Sequence, residues 1–298
     1  MRVFVTGATG LIGRALCQDL IGAGHVVVAL SRGAAGGLPA AAERVRGDPA
    51  VPGPWQEALA GCDACVHLAG EPVAGGRWTA ARKEAIRQSR VRGTGAVAAV
   101  IARGGPAVLV SGSAVGYYGP RGDEVLDESA APGSDFLAGV VRDWEAAAAA
   151  ARKRARVVLL RTGLVLAAEG GALPRMALPF RLLAGGPIGA GAFWHSWIHL
   201  ADEVGLIRFA LENPAVEGPL DATAPEPARN RDFARALGRA LHRPSLLPTP
   251  PLALQLALGE MAGIVVTGQR VVPARALALG YRFRFPSLDA ALADLLGR

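Results

Sequence analysis

The first thirteen residues restrict the fold of this chain more than any other segment. Arg2-Val3-Phe4-Val5-Thr6 is a short β-rich run, and it leads without a spacer into Gly7-Ala8-Thr9-Gly10-Leu11-Ile12-Gly13. Glycines at this spacing, between a strand and a helix, have a mechanical meaning. One makes the tight turn, the second lets the backbone approach a pyrophosphate at the helix N-terminus, and the third lets helix and strand pack closely. The apolar strand directly before the motif is the context that separates a dinucleotide loop from an ordinary glycine-rich turn.

The next apolar run ends Ala29-Leu30-Ser31-Arg32. A loop that preferred NAD would place Asp or Glu here to accept from the ribose 2′-hydroxyl. No acid is present. Ser31 can donate a hydrogen bond and Arg32 can pair with a 2′-phosphate, so NADP(H) is the expected cofactor. A later run ends His67-Leu68-Ala69-Gly70-Glu71-Pro72. The small residues Ala69 and Gly70 allow the chain to run along the ribose and phosphates, whereas His67 is expected to be a satisfied histidine of the sheet.

Composition removes several classes. The chain has 298 residues, 51% of them hydrophobic and 19% charged, which excludes intrinsic disorder. Its three cysteines cannot form a disulfide framework, in keeping with a reducing compartment. Cys62 and Cys65 make a C-x-x-C, but they lead into an apolar strand rather than opening a helix, so buried thiols are expected. The formal charge is +7, carried almost entirely by scattered arginine; the lysines are Lys83 and Lys153. The one dense cluster, Arg152 to Arg156, lies between a helix and a strand without interleaved aromatics, so nucleic acid is not an expected partner. The start of the chain lacks the basic and apolar regions of a signal peptide. The longest apolar stretch, Leu252 to Val266, is interrupted by Gln255, Gly259, Glu260 and Gly263 and reads as a buried helix, not a membrane span. A cytoplasmic location without membrane attachment is expected.

Short runs apolar on both faces alternate with helical segments over the first 165 residues. Strands are expected at Arg2–Thr6, Val26–Leu30, Arg44–Arg46, Ala64–Leu68, Ala107–Val110 and Arg156–Leu160. Helices are expected at Leu11–Ala23, Trp78–Arg103 and Ser134–Ala151. This alternation predicts an α/β fold with a doubly wound parallel sheet, a Rossmann domain spanning 1–165. Beyond Val165 the rhythm breaks. Pro174–Ala184, Ala201–Glu212 and Arg231–Leu241 read as helices and Pro219–Asp221 as a strand. The Pro-rich segment Pro244 to Pro251 and three short elements follow. A smaller C-terminal substrate lobe is expected over 166–298, with a distinct terminal segment at about 248–298.

With these features in place the chain resembles the extended and atypical short-chain dehydrogenase/reductase superfamily, and within it the YfcH-type epimerase-like branch. The blocks that carry the resemblance are Arg77-Trp78-Thr79, Arg82-Lys83, Ser89-Arg90, Ser113-Ala114-Val115-Gly116-Tyr117-Tyr118-Gly119, Asp143-Trp144-Glu145, Arg161-Thr162-Gly163 and Ser196-Trp197-Ile198-His199 with Asp202. They span essentially the whole chain, including the branch's small C-terminal domain. The resemblance implies that Gly7, Thr9, Gly10, Leu11, Ile12 and Gly13 hold the pyrophosphate and that Ser31 and Arg32 hold the 2′-phosphate. It places Leu68, Ala69 and Gly70 along the ribose, Arg90 and Ser111 beside the cofactor, and Val165 where its backbone meets the nicotinamide amide. It implies a small-molecule substrate, a nucleotide sugar or another carbonyl compound, and a homodimer paired through the helices Trp78–Arg103 and Ser134–Ala151.

The superfamily's proton-transfer pair, Y-x-x-x-K, is missing. Phe136 stands where the tyrosine belongs and Val140 where the lysine belongs, and neither Tyr nor Lys occurs from Ala130 to Arg152. Without the lysine a phenol near its ordinary value is a poor base at neutral pH. Three accounts follow. Tyr117 takes over as acid/base with Ser113 as its partner on the substrate carbonyl, although Tyr117 and Tyr118 could equally cap the cofactor crevice. Alternatively the protein is a catalytically silent NADP(H)-binding regulator or scaffold, for example in cell division. In the third account, water or substrate supplies the proton. Arg161 is expected to pair with Glu145 or Asp143, and His195 to belong to the core of the second lobe. No His, Cys and carboxylate spacing fits a metal.

Overall fold

The computed structural model describes residues 1–33 and 36–297. Thirteen strands and eleven helices are assigned among them. The strands are β1 (Arg2–Thr6), β2 (Val26–Ser31), β3 (Glu43–Arg46), β4 (Ala64–His67), β5 (Val108–Ala114), β6 (Val125–Leu126), β7 (Arg156–Thr162), β8 (Leu164–Leu166), β9 (Trp194–His195), β10 (Trp197–His199), β11 (Gly218–Ala222), β12 (Ala228–Arg229) and β13 (Arg270–Val271). The helices are α1 (Leu11–Gly22), α2 (Trp55–Ala60), α3 (Ala80–Ala102), α4 (Phe136–Ala147), α5 (Leu173–Arg181), α6 (Leu200–Glu212), α7 (Asn230–Leu241), α8 (Pro251–Leu258), α9 (Gly263–Val266), α10 (Ala274–Ala278) and α11 (Leu288–Leu296). The Gly/Ala/Pro-rich stretch after Arg32 includes Ala34 and Ala35, which lie outside the described residues.

Seven strands form one sheet in the order β11-β7-β5-β4-β1-β2-β3, every pair parallel. The sheet is doubly wound, as the sequence predicts. Winding reverses between β1 and β4, the switch point beyond whose carboxyl strand ends sheets of this kind bind their ligands. Alternate residues of each strand bury opposite faces. Val3, Val5, Val27 and Val66 pack with Leu16 and Leu20 of α1 and Ile207 of α6. Phe4, Val28 and Leu109 pack on the other side with Trp55 and Leu59 of α2 and Val97 and Ile101 of α3. Cys17, Cys62 and Cys65 are buried in these two layers, and burial pushes Cys17 up to about 11 and the other two thiols up as well.

The strand read at Pro219–Asp221 and the helix at Ala201–Glu212 come from beyond residue 165, yet β11 pairs with β7 at the edge of the large sheet and α6 packs on its face. Arg156, at the foot of β7, donates to the Ala210 and Leu211 carbonyls in the last turn of α6, where a cation suits the negative end of a helix, and to the Val216 carbonyl in the loop beyond it. A separate core cluster is built from Phe180, Trp197, Phe233, Leu237 and Leu292. Asp202, in the first turn of α6, accepts from the Arg284 and Phe285 amides at 2.8 and 2.9 Å and ties the C-terminal segment back to the sheet.

One expectation is overturned at 252–266. Helix α8 buries none of its residues, and Leu252 and Leu256 are 64% and 70% exposed. The helix is held from one side by its backbone, where Arg77 donates to the Leu256 and Ala257 carbonyls. Among the described residues, no helix is long and apolar enough to cross a membrane.

Glu203 carries a pH dependence. It is fully buried in α6; one oxygen accepts from the Thr162 hydroxyl at 2.7 Å and the other has no partner. Burial raises its carboxyl from 4.5 to about 8. Between those values the folded chain holds a proton that the unfolded chain has lost, so stability falls as pH rises. The expected slope is about 1.4 kcal/mol per pH unit from about pH 5 to about pH 8. Urea unfolding of Glu203→Gln should show a visibly flatter pH dependence; an unchanged slope would remove Glu203 as its source.

Candidate active site

Backbone geometry accounts for the glycine loop. Gly7 has φ +68°, and a Cβ there would sit 2.8 Å from the Leu68 carbonyl carbon at the end of β4. A Cβ on Gly13 would come within 2.2 Å of the Gly7 carbonyl oxygen. Both positions therefore require glycine for the loop to close. Gly10 differs. Its φ of −74° is ordinary, and a Cβ would meet only the Gly7 oxygen, at 3.2 Å, with the rest of its surroundings open. No side chain caps the N-terminus of α1 there, so its first amides are left for an anion. Thr9 and Gly10 are exposed at the mouth, and Gly170 and Gly171 fold back against Leu11 beside it. That last contact had no sequence signal beyond the glycine pair itself.

At the neighbouring strand ends, Ser31 donates to the Gly33 carbonyl at 3.0 Å. The Arg32 side chain is 75% exposed, with Asp48 a loose 3.9 Å away. Beyond β4, Thr6 joins the loop to the strand: its hydroxyl meets His67 Nδ1 at 2.7 Å and accepts from the Ala69 amide at 3.2 Å. His67 is fully buried and burial lowers it to about 4, so it is a neutral sheet residue. Arg90 packs against Gly70, lies 5.0 Å over the Trp144 ring and donates to the Glu71 and Ile86 carbonyls. Burial lowers it to about 10. Ser111 is fully buried in β5, and its hydroxyl is turned to the Gly112 carbonyl at 3.3 Å. Val165 lies inside β8 opposite Ile198.

The carboxyl edge of β5, β7 and β11 holds a buried polar cluster. Ser113 donates to Glu145 Oε1 at 2.6 Å. Glu145 takes both arms of the Arg161 guanidinium, at 2.8 and 3.0 Å. Arg161 also donates to the Tyr118 hydroxyl at 2.9 Å, and that hydroxyl donates to Asp221 at 2.8 to 2.9 Å. Burial works against the Arg161 charge, but the Glu145 carboxylate outweighs it and holds the guanidinium above its ordinary value. Burial, reinforced by Glu128, pushes the Asp221 carboxyl up, and burial beside Asp221 pushes the Tyr118 phenol up. The Arg161 guanidinium carbon lies over the Tyr117 ring, 3.5 Å from its centroid. Two adjacent tyrosines on one short 3₁₀ turn thus receive opposite duties: Tyr118 is locked inside, and Tyr117 roofs the cluster. Arg161 pairs with Glu145 as expected, while Asp143 pairs with Arg87.

Phe136 opens α4 and meets Trp78 edge to face at 5.2 Å. Lys83 stands 5.1 Å over the Phe136 ring and pairs with Glu260 of the C-terminal segment. This cation beside the missing tyrosine comes from another helix and could not be read from the spacing. His195 packs between Phe193 and Phe233, hydrogen bonds Asn230 at 3.1 Å and is lowered to about 4 by burial. Among the described residues no group of three His, Cys or carboxylate side chains could hold a metal.

A doubly wound parallel sheet with this loop at its switch point and a polar cluster along the same edge is the architecture of the short-chain dehydrogenase/reductase class. Residues 3–221 match the NAD dependent epimerase/dehydratase family, and residues 249–295 match a domain of unknown function, DUF1731. The chain belongs to that epimerase family, as an atypical member without the Tyr-x-x-x-Lys pair. It is 42% identical, over 99% of its length and 87% of the relative's, to the Arabidopsis thaliana chloroplastic homologue of epimerase family protein SDR39U1. It superposes on the crystal structure of human SDR39U1 isoform 2 with NADPH at a TM-score of 0.90, with 37% identity and full coverage of both chains. A nucleoside-diphosphate sugar epimerase from Corynebacterium glutamicum gives a TM-score of 0.81 and 38% identity over the whole of this chain and 58% of its own.

Proposed function

We propose that this protein binds NADP(H) in the β1/β4 crevice and acts as an epimerase-like oxidoreductase on a small carbonyl substrate. A nucleotide sugar is the favoured class, with a homodimer paired through α3 and α4 as the assembly. The division into a cofactor lobe, 1–165, and a substrate lobe, 166–298, is part of this reading, with α6 and β11 lent by the second lobe to the first. The observation that carries it is the uncapped loop at Gly10, a cradle that a side chain would fill, beside an acid-free strand end with Arg32 turned to solvent. The NADPH in the human relative and the sugar-epimerase name of the bacterial one support it.

In this reading Gly7, Thr9, Gly10, Leu11, Ile12 and Gly13 wrap the pyrophosphate, and Ser31 and Arg32 grip the 2′-phosphate. Leu68, Ala69 and Gly70 follow the ribose, with Arg90 fixing the Gly70 loop and Ser111 behind it, and Val165 meets the nicotinamide amide. The cofactor supplies hydride transfer at nicotinamide C4. Tyr117 serves as acid/base. Ser113, whose hydroxyl is held at 2.6 Å from Glu145, is its partner and would turn that hydroxyl to donate to the substrate carbonyl oxygen. The silent-regulator reading gains nothing from a site in which a serine, a carboxylate and a guanidinium converge.

Calorimetric titration with NADPH and NADH tests the cofactor assignment. Arg32→Glu replaces a charge-assisted bond to phosphate with repulsion, and it should weaken NADPH about a hundredfold while changing NADH less than about threefold. Equal losses for both would refute the 2′-phosphate role. Where carbonyl turnover is found, Tyr117→Phe should abolish it with NADPH affinity intact; retained turnover would exclude Tyr117 as the acid.

A further inference from the structure

One surface concavity shares no lining residue with the glycine loop. It is a surface cavity of about 720 Å³ at the end of α7, lined by Arg235, Gly238, Arg239, His242, Arg243, Ser245 and Leu246. We infer that this cavity is a second, separate anion site that takes an organic polyphosphate of nucleotide size.

The lining comes from the local fold. Helix α7 buries Phe233, Ala234, Ala236 and Leu237 in the second lobe, which turns Arg235 and Arg239, one helical turn apart, outward together. Gly238 lets the chain double back tightly, because a Cβ there would lie 2.8 Å from the Arg243 carbonyl oxygen. The reversal brings Arg243 into the same lining as Arg235 and Arg239. A helix C-terminus ordinarily repels anions. Here its last carbonyls are occupied: the His242 amide, in a left-handed residue, donates to Arg239 O at 3.0 Å, and the Arg243 amide donates to Gly238 O at 2.9 Å.

Arg235 and Arg239 each have a carboxylate, Asp232 at 3.4 Å and Asp289 at 2.6 Å. Arg243 has none among the described residues; its one contact is a 3.2 Å bond to the His242 carbonyl. The Ser245 hydroxyl, part of the lining, is buried as an atom and has no hydrogen-bond partner. A spare guanidinium and a spare hydroxyl are what a phosphate oxygen would satisfy. Leu246, 78% exposed on the same rim, offers apolar contact to a nucleoside. The volume is in the range of small-molecule sites.

The test uses the full chain carrying Gly10→Val, which blocks the crevice, and in parallel the wild type saturated with NADPH. Each is titrated calorimetrically with ADP, pyrophosphate and adenosine at physiological salt. One ADP per chain is expected, with adenosine silent and with Arg243→Glu weakening ADP at least about tenfold, about 1.4 kcal/mol. ADP bound more tightly than pyrophosphate identifies a nucleotide site, and equal affinities identify a polyphosphate site. No ADP binding in either form, or affinity unmoved by Arg243→Glu and Arg239→Ala, would overturn the inference. NADPH titration of the wild type separately decides the crevice, so either result stands without the other.

Discussion

Replacing Arg161 by alanine is expected to destabilise the fold by about 3–5 kcal/mol, because it leaves the Glu145 carboxylate buried and uncompensated. The Arg161 and Glu145 side chains are only 3% and 10% exposed, so solvent screens little of the loss. The same deletion removes the donor to Tyr118 and the cation over the Tyr117 ring. Glu145→Leu in the same chain should recover much of the stability, since the apolar replacement of a whole buried pair is often neutral. It would not restore the position of Tyr117. Urea unfolding measures the first effect, and the intensity of the near-ultraviolet tyrosine signal measures the second. A loss below about 1 kcal/mol for Arg161→Ala would place the pair among ordinary surface ion pairs and deny the cluster its structural weight.

The cluster also marks where the sequence ceases to be readable. The glycine loop, the acid-free end of β2 and the vacant Tyr and Lys positions are each contained in a dozen contiguous residues, so local chemistry was enough to find them. Ser113, Glu145, Arg161, Tyr118 and Asp221 come from five elements, β5, α4, β7, the 3₁₀ turn and β11, whose meeting is complete only when β11 pairs with β7. Its register, Asp221 opposite Arg161, is a property of the sheet and not of any segment. The Arg161–Glu145 pair was legible because a buried cation requires a carboxylate, and Asp143 and Glu145 were the near candidates. Tyr118 was not, since nothing local distinguishes the inward tyrosine of a 3₁₀ turn from its outward neighbour. Helix α8 failed for a related reason. Leucine content predicts burial only when a partner surface exists, and here the Arg77 contacts to its carbonyls hold the helix at the edge.

The three loop glycines are expected to fail in different ways when substituted, and the contrast bears directly on function. In Gly13→Val the new Cβ would stand 2.2 Å from the Gly7 carbonyl oxygen, with the Ala8 backbone at 2.7 Å. Backbone cannot yield as a side-chain tip can, so the β1–α1 junction should open and the protein should lose its cooperative melt. Gly7→Val should behave likewise, from a left-handed φ together with a clash against Leu68. Gly10→Val meets one atom at 3.2 Å and keeps an ordinary φ, so the chain should fold with its melting temperature nearly unchanged. Its isopropyl group would nevertheless occupy the space before the α1 amides. NADPH affinity should fall at least about a hundredfold, about 2.7 kcal/mol. A folded Gly10→Val that binds NADPH as the wild type does would take the loop out of the mechanism, whatever the fold suggests. Loss of binding in a folded chain, beside the unfolding of Gly13→Val, would separate the glycine that serves the ligand from the two that serve the turn.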